Sequence, residues 1–331
     1  MAVAAVAAGA VELLLAALAG PGAAARAEAA HSLANIASWS HACSAAAAVA
    51  APLLVELLAD ALPRGTAPPP KRLQLLQESS LLALGNLAGD GAFDTTLRDR
   101  VRAAGAMPPV VRAAGSDAPA VARTALWALA NLVRGPAPRL EEALDAGAGD
   151  AVVRVLLRPG AADGVTEEAL WAASLLSHAC PPMHARLLES GAAARALAFL
   201  AAPPATGDSL RLPALRVVGN LAAGADACTS ALLHASSAAD SGAEGAALLP
   251  ALRALLADER RALRKEAAWV VGNVCAGTPA HRAAAVAAGL PAALVGLLQT
   301  ADFDVRREER LQLFSPLLGP EPRRPQGARE V

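Results

Sequence analysis

Leu, Val and Ala recur at three- and four-residue spacings along most of the chain, the period of a helix with one face against a core. No run alternates polar and apolar residues over six positions with β-branched or aromatic enrichment, so strands are not predicted. The pattern repeats. Six segments read alike when aligned on one position: HSLANIA (31–37), LALGNLAGD (82–90), LWALANLVR (126–134), LWAASLLSH (170–178), LRVVGNLAAG (215–224) and AWVVGNVCAG (268–277). The anchors are Asn35, Asn86, Asn131, Leu175, Asn220 and Asn273, at intervals of 51, 45, 44, 45 and 53 residues. The three central intervals match tandem helical repeats of about 40–47 residues. The two long ones contain Pro/Gly/Ser-rich stretches, 63–70 and 236–246, which read as surface insertions.

A second register follows the first. A glycine trails the anchor by 16 residues at Gly147, Gly191 and Gly289, and by 19 at Gly105. An apolar run then begins, such as AVVRVLLR (151–158) or PAALVGLL (291–298). Each unit therefore reads as an anchor helix, a turn, a second helix, a glycine and an apolar third helix. The predicted fold is all-α: a superhelical solenoid in which each repeat buries its apolar face on its neighbours and exposes a long concave surface. Three segments are expected: an Ala-rich partial or capping helical segment (1–26), about six repeats (27–308) and a divergent, disordered tail (309–331).

Composition changes this picture little. Lys plus Arg is 29 against 30 Asp plus Glu, a net charge of −1, which lacks the basic excess of a nucleic-acid binder. Only Lys71 and Lys265 are lysines and there is no Tyr, a bias that a GC-rich genome produces. Residues 2–25 are apolar, but Glu12, Gly9, Gly20, Pro21 and Gly22 interrupt them and Ala favours bilayer insertion weakly, so a membrane span is not expected there. No basic residue precedes the run, as a secretory signal would require. Cys43, Cys180, Cys228 and Cys275 form no CxxC pair and read as small buried thiols.

The anchors carry the candidate chemistry. Trp127 and Asn131 are four residues apart, as are Trp269 and Asn273, so each pair shares a helix face. Stacked repeats would align these pairs into a ladder. An Asn amide both donates and accepts, and can hold an extended peptide backbone without reading its side chains. A Trp beside it offers a face to the stem of Lys or Arg, with a cation–π contribution of ~0.5–2 kcal/mol. Glu168 precedes Trp171 by three residues and Glu266 precedes Trp269 by three, adding charge for a basic ligand. Five Asn in six equivalent positions exceed what core packing requires.

These segments resemble the armadillo domain of the importin alpha family over about residues 27–308, which implies an all-α, right-handed superhelical armadillo-repeat solenoid. EAAHSLANIAS (28–38) resembles the family's second repeat, with His31 in place of a Trp. LGNLAGDG (84–91) resembles the third, with Leu82 in place of a Trp, and LWALANL (126–132) resembles the fourth. The fifth family repeat lacks the Asn, as here at Leu175, and the sixth has Arg in place of Trp, here Arg216. KEAAWVVGNVCAG (265–277) resembles the seventh.

The resemblance implies an adaptor that binds basic nuclear localisation signals of cargo proteins and shuttles between cytoplasm and nucleus. It implies a major site at Asn35, Ser44, Asn86, Asp90, Trp127 and Asn131, with Ser44 and Asp90 at the key lysine. It implies a minor or intervening site at Glu168, Trp171, Arg216, Asn220, Glu266, Trp269 and Asn273, extending toward Glu308. Importin beta is the family's partner, but its basic binding segment is not found before residue 27. The alternative is a divergent armadillo scaffold for a non-basic peptide or helix, which His31 and Leu82 favour.

No enzyme, cofactor, metal or small-molecule substrate is predicted. There is no GxxxxGK[ST], no GxSxG, and no GxGxxG between a strand and a helix. His41/Cys43 and His178/Cys180 share the string SHAC but lie in different repeats out of register, and read as packing residues.

Overall fold

The computed structural model describes residues 2–62, 70–89, 95–135, 139–201, 208–235 and 248–300. The predicted insertions at 63–70 and 236–246 fall almost entirely outside the described residues, as do Asp90 and everything after Thr300. The described residues form helices and no strands. The chain divides into two compact units, residues 1–175 and 176–331.

In the first unit, α1 (Ala2–Ala7) and α2 (Ala10–Ala19) lead into the first anchor helix, α3 (Ala23–Ala37). Next come α4 (His41–Ala47), a 3-10 turn (Ala48–Ala50), α5 (Ala51–Ala61) and the second anchor helix, α6 (Lys71–Gly89). Then follow α7 (Thr95–Ala103), α8 (Met107–Ala114) and the third anchor helix, α9 (Pro119–Val133). Finally come α10 (Leu140–Asp145), α11 (Ala148–Leu156) and α12 (Asp163–Leu176), which carries the fourth anchor to the boundary. The second unit contains α13 (Pro181–Glu189), α14 (Ala192–Ala201), α15 (Asp208–Ala222), α16 (Asp226–Ala235), α17 (Leu248–Leu256), α18 (Arg261–Cys275), α19 (Pro279–Ala287) and α20 (Leu290–Thr300).

Every anchor sits near the C-terminal end of the longest helix of its repeat, and two shorter helices follow each one. Within the first unit α3 packs on α6 and α6 on α9; within the second, α15 packs on α18. The preceding short helix also covers each of these, as α5 covers α6 and α14 covers α15. The core is aliphatic. Leu33, Leu84, Leu126 and Leu129 have at most 1% of their surface exposed. The stretch His41–Ala61 is long and apolar enough to cross a membrane by composition, yet half of its apolar window is buried within this unit against α3 and α6.

The glycines of the second register lie at left-handed corners. Gly105, Gly147, Gly191 and Gly289 have φ between 73° and 88°, a region that side chains with a Cβ disfavour. Gly9, between α1 and α2, has φ 82° and plays the same part. Residues 2–19 therefore form the two short helices that introduce α3, and α3 begins at Ala23, inside the expected segment 1–26. The signal was available: Gly9 precedes Asn35 by 26 residues, as Gly105 precedes Asn131.

Candidate functional site

The ladder predicted from spacing exists within each unit, and its first role is to tie anchor helices together. Asn86 donates through Nδ2 to the Ala34 carbonyl at 2.9 Å. Asn131 donates to the Gly85 carbonyl at 3.1 Å. Asn273 donates to the Gly219 carbonyl at 3.2 Å. Each acceptor is the residue just before the previous repeat's Asn. Asn220 departs from this rule and donates to Ser177 Oγ at 3.1 Å, two residues beyond Leu175. A side-chain amide has two donors and an acceptor, so a clamp that uses one donor leaves capacity for a ligand.

Two of the four tryptophans pack on glycines. A Cβ built on Gly85 would overlap Cζ3 of Trp127, and one built on Gly219 would overlap Cζ3 of Trp269. The ring of one repeat thus lies on the backbone of the repeat before it. Trp127 is half-buried, whereas Trp269 is only 4% exposed and mostly a packing residue. Trp171 is half-buried on α12, and its carbonyl accepts from Ser174 Oγ at 2.8 Å.

Charge differs between the units. In the second, Arg216 Nη2 lies 2.9 Å from Glu266 Oε1. The Glu266 side chain is 5% exposed and that of Arg216 is 44% exposed. Glu266 Oε2 is buried with no hydrogen-bond partner among the described residues. A buried carboxylate oxygen without a donor is costly, and its burial keeps it from solvent in the free chain. In the first unit, burial pushes the Glu168 carboxyl above the usual range, opposed by Arg123. Asp258, at the start of the turn before α18, is held low by hydrogen bonds from Arg260 and by Arg211 nearby.

The remaining predicted residues divide sharply. Asn35 is exposed on α3, and its amide has no partner among the described residues. Ser44 is fully buried and its Oγ has no hydrogen-bond partner among the described residues, so the free chain does not present it to solvent. Asp90 lies outside the described residues. Among the described residues no cluster of three His, Cys, Asp or Glu has metal-binding geometry.

Several contributors were invisible to spacing alone. Arg98, 1% exposed, donates to the Arg134 carbonyl, and buried Arg102 donates to the Leu132 carbonyl. Together they cap the C-terminal end of α9, beside Asn131, where a cation complements the helix dipole. In the second unit His184 Nε2 lies 2.6 Å from the Ser177 carbonyl. It lines an apolar pocket of about 500 Å³ with His178, Leu188, Asn220 and Cys228.

Comparison with known proteins decides what this architecture is. Residues 96–134, which correspond to α7–α9, match the family model described as the Armadillo/beta-catenin-like repeat. An engineered protein of known structure superposes with a TM-score of 0.77 at 25% identity, covering 94% of this chain and 69% of that one. The chain is an armadillo-repeat protein. A designed armadillo repeat protein solved with the peptide (KR)4 shares this fold, with a TM-score of 0.64 at 24% identity over 80% of this chain and 98% of that one.

The curated relatives narrow the resemblance. This armadillo-repeat protein is 32% identical to importin subunit alpha-9 of Arabidopsis thaliana over 84% of its own length. It is also 32% identical to importin subunit alpha-1b of Oryza sativa subsp. japonica over 69% of its length. The chain spans 50% of the Arabidopsis protein and 40% of the rice protein.

Proposed function

We propose that this armadillo-repeat protein is a non-enzymatic, importin-alpha-like adaptor. It binds basic nuclear localisation signals of cargo proteins along its Asn/Trp ladder and shuttles between cytoplasm and nucleus. The observation that carries the reading is the ladder of Asn86, Asn131 and Asn273, each of which gives one amide donor to the preceding anchor helix and has a second donor and an acceptor besides. Glu266, on the helix that also bears Trp269 and Asn273, adds a carboxylate that favours lysine and arginine in that peptide. Asn86, Asn131 and Asn273 hold the neighbouring helices in register and offer their remaining amide groups to the backbone of the same peptide. Importin subunits are the curated relatives, which supports cargo transport as the setting.

The test is an anisotropy titration of a fluorescent lysine-rich localisation peptide. Saturable binding that weakens with salt is expected for charge pairing near a surface. Glu266→Gln should weaken it, as should Trp127→Ala/Asn131→Ala. No binding by the folded wild-type chain overturns the reading. The second reading, a scaffold for a non-basic peptide, draws on Leu82 and His31, which stand where the ladder would otherwise carry Trp.

A further inference from the structure

The second unit contains a cavity that the ladder does not explain. It encloses about 500 Å³ between α13 and the corner that joins α15 to α16. A cavity of about 150 Å³ holds a single benzene ring, so this one has room for roughly two or three fused rings. Sites for small molecules commonly enclose about 300–1,000 Å³.

Two features of the backbone shape it. Four residues after the anchor the chain has Gly135, Gly224 and Gly277 in three repeats, and Ala179 in the repeat of Leu175. Ala179 lines the cavity with φ 50°, a left-handed conformation that a Cβ disfavours, whereas Gly135 holds φ 83° freely. Strain of this kind persists where its surroundings hold it, and it gathers at binding sites. His184 forms a second part of the wall. A Cβ on Gly224 would overlap its Nδ1, so the ring lies against the backbone of the α15–α16 corner. Its Nε2 donates to the Ser177 carbonyl at 2.6 Å, which fixes the ring in place.

The lining states the chemistry of an occupant. Leu188 and the alanines of the corner make most of the surface apolar, and among the described residues that line it there is no Asp, Glu, Lys or Arg. Burial holds both His178 and His184 below the ordinary histidine range, so both rings are neutral near pH 7. A charged ligand therefore meets no opposite charge. One polar contact is open: the His178 imidazole has no hydrogen-bond partner among the described residues. A neutral imidazole has one donor and one acceptor. The corner of the next repeat differs, because His281 engages both of its nitrogens. There Nδ1 accepts from the Thr278 backbone N–H at 3.2 Å, and Nε2 lies 2.8 Å from Ser230 Oγ.

We propose that this cavity binds a neutral small molecule with a compact, apolar ring system and one hydroxyl or carbonyl group, which His178 engages. The inference goes beyond peptide binding and does not rest on it.

The experiment uses the full chain, without peptide, and 2-naphthol as the probe, a neutral fused-ring molecule with one hydroxyl. Naphthalene lacks the hydroxyl, and 2-naphthalenesulfonate carries a charge in its place. Calorimetric titration should show saturable binding of 2-naphthol, with naphthalene roughly two- to twelvefold weaker for want of one hydrogen bond. The sulfonate should be weaker than both, since its charge is buried without a partner. His178→Leu should lower the affinity for 2-naphthol to that for naphthalene. Ala227→Trp fills the cavity from an exposed position on its wall, and should abolish binding with the melting temperature unchanged. Cys228 gives a readout on the unaltered chain, because its partly exposed thiol lines the cavity. Its alkylation by N-ethylmaleimide, followed by mass spectrometry, should slow when 2-naphthol is present. No saturable binding of 2-naphthol to the wild-type chain overturns the inference. So does undiminished binding by Ala227→Trp with the Cys228 alkylation rate unchanged, and so does a preference for the sulfonate.

Discussion

The two units build the same ladder on different electrostatic ground. In both, an Asn amide reaches the carbonyl before the previous Asn, and a Trp ring lies on the glycine at that position. Among the described residues only the second adds a buried carboxylate that its internal arginine satisfies on one oxygen. The shared parts are therefore what stacking one anchor helix on another requires. The charge is the part free to vary with the ligand. A change to the lock should cost stability in either unit, whereas a change to the charge should cost affinity in one.

The sharpest test of that division is the ring itself. Trp269→Ala should destabilise the second unit by about 3–5 kcal/mol, as deletion of a buried aromatic does. Trp127→Ala should cost less because Trp127 is half-buried, and thermal melts of the two variants measure the difference. Conversely, Gly85→Ala and Gly219→Ala should each cost about 1–3 kcal/mol, because the added methyl meets a ring in both units. Equal effects there would establish that the lock is the same.

Glu266→Gln breaks the other half of the comparison. A charge pair near the surface contributes about 0.2–1 kcal/mol, so basic-peptide affinity should fall by up to roughly fivefold while the melting temperature changes little. Asn131→Ala and Asn273→Ala should each lower stability by about 1 kcal/mol in urea titrations, one clamp apiece.

Much of this was legible in the residues. The repeat interval, the helical period and the glycine corners reach the sequence directly, because each depends on local backbone geometry. The pairing of Asn with the preceding carbonyl was not legible, because the acceptor is backbone and any residue can provide it. Gly85 and Gly219 looked like ordinary small residues until a ring from the next repeat was found on top of them. Ser177 takes the Asn220 amide where the Leu175 repeat departs from the pattern, and no spacing rule marks it. Burial also separates Ser44 from Asn35, which the family resemblance assigns to one site.

The smallest expected effects concern pH. Burial holds His178 and His184 below the ordinary histidine range, with the Ser177 carbonyl partly opposing this at His184. Below a pH of about 6.5 the unfolded chain then binds protons that the folded chain does not, so stability declines as pH falls. His184→Gln should flatten that decline in denaturant titrations across pH 7 to 5. The first unit should answer differently. Burial raises the Glu168 carboxyl, so its charge, and with it any help to a cationic peptide, should fade at a higher pH than an ordinary glutamate would allow. Peptide titrations of Glu168→Gln against wild type, over mildly acidic pH, measure it.

The glycine beneath each ring also constrains history. A tryptophan at position 127 or 269 can be accommodated only after the residue before the preceding anchor has become glycine. That glycine in turn cannot acquire a side chain until the ring has gone. The order of substitution is thereby fixed in both directions. A lineage that loses a tryptophan first passes through a repeat with a bare glycine, a more tolerant starting point from which a different side chain can be tried.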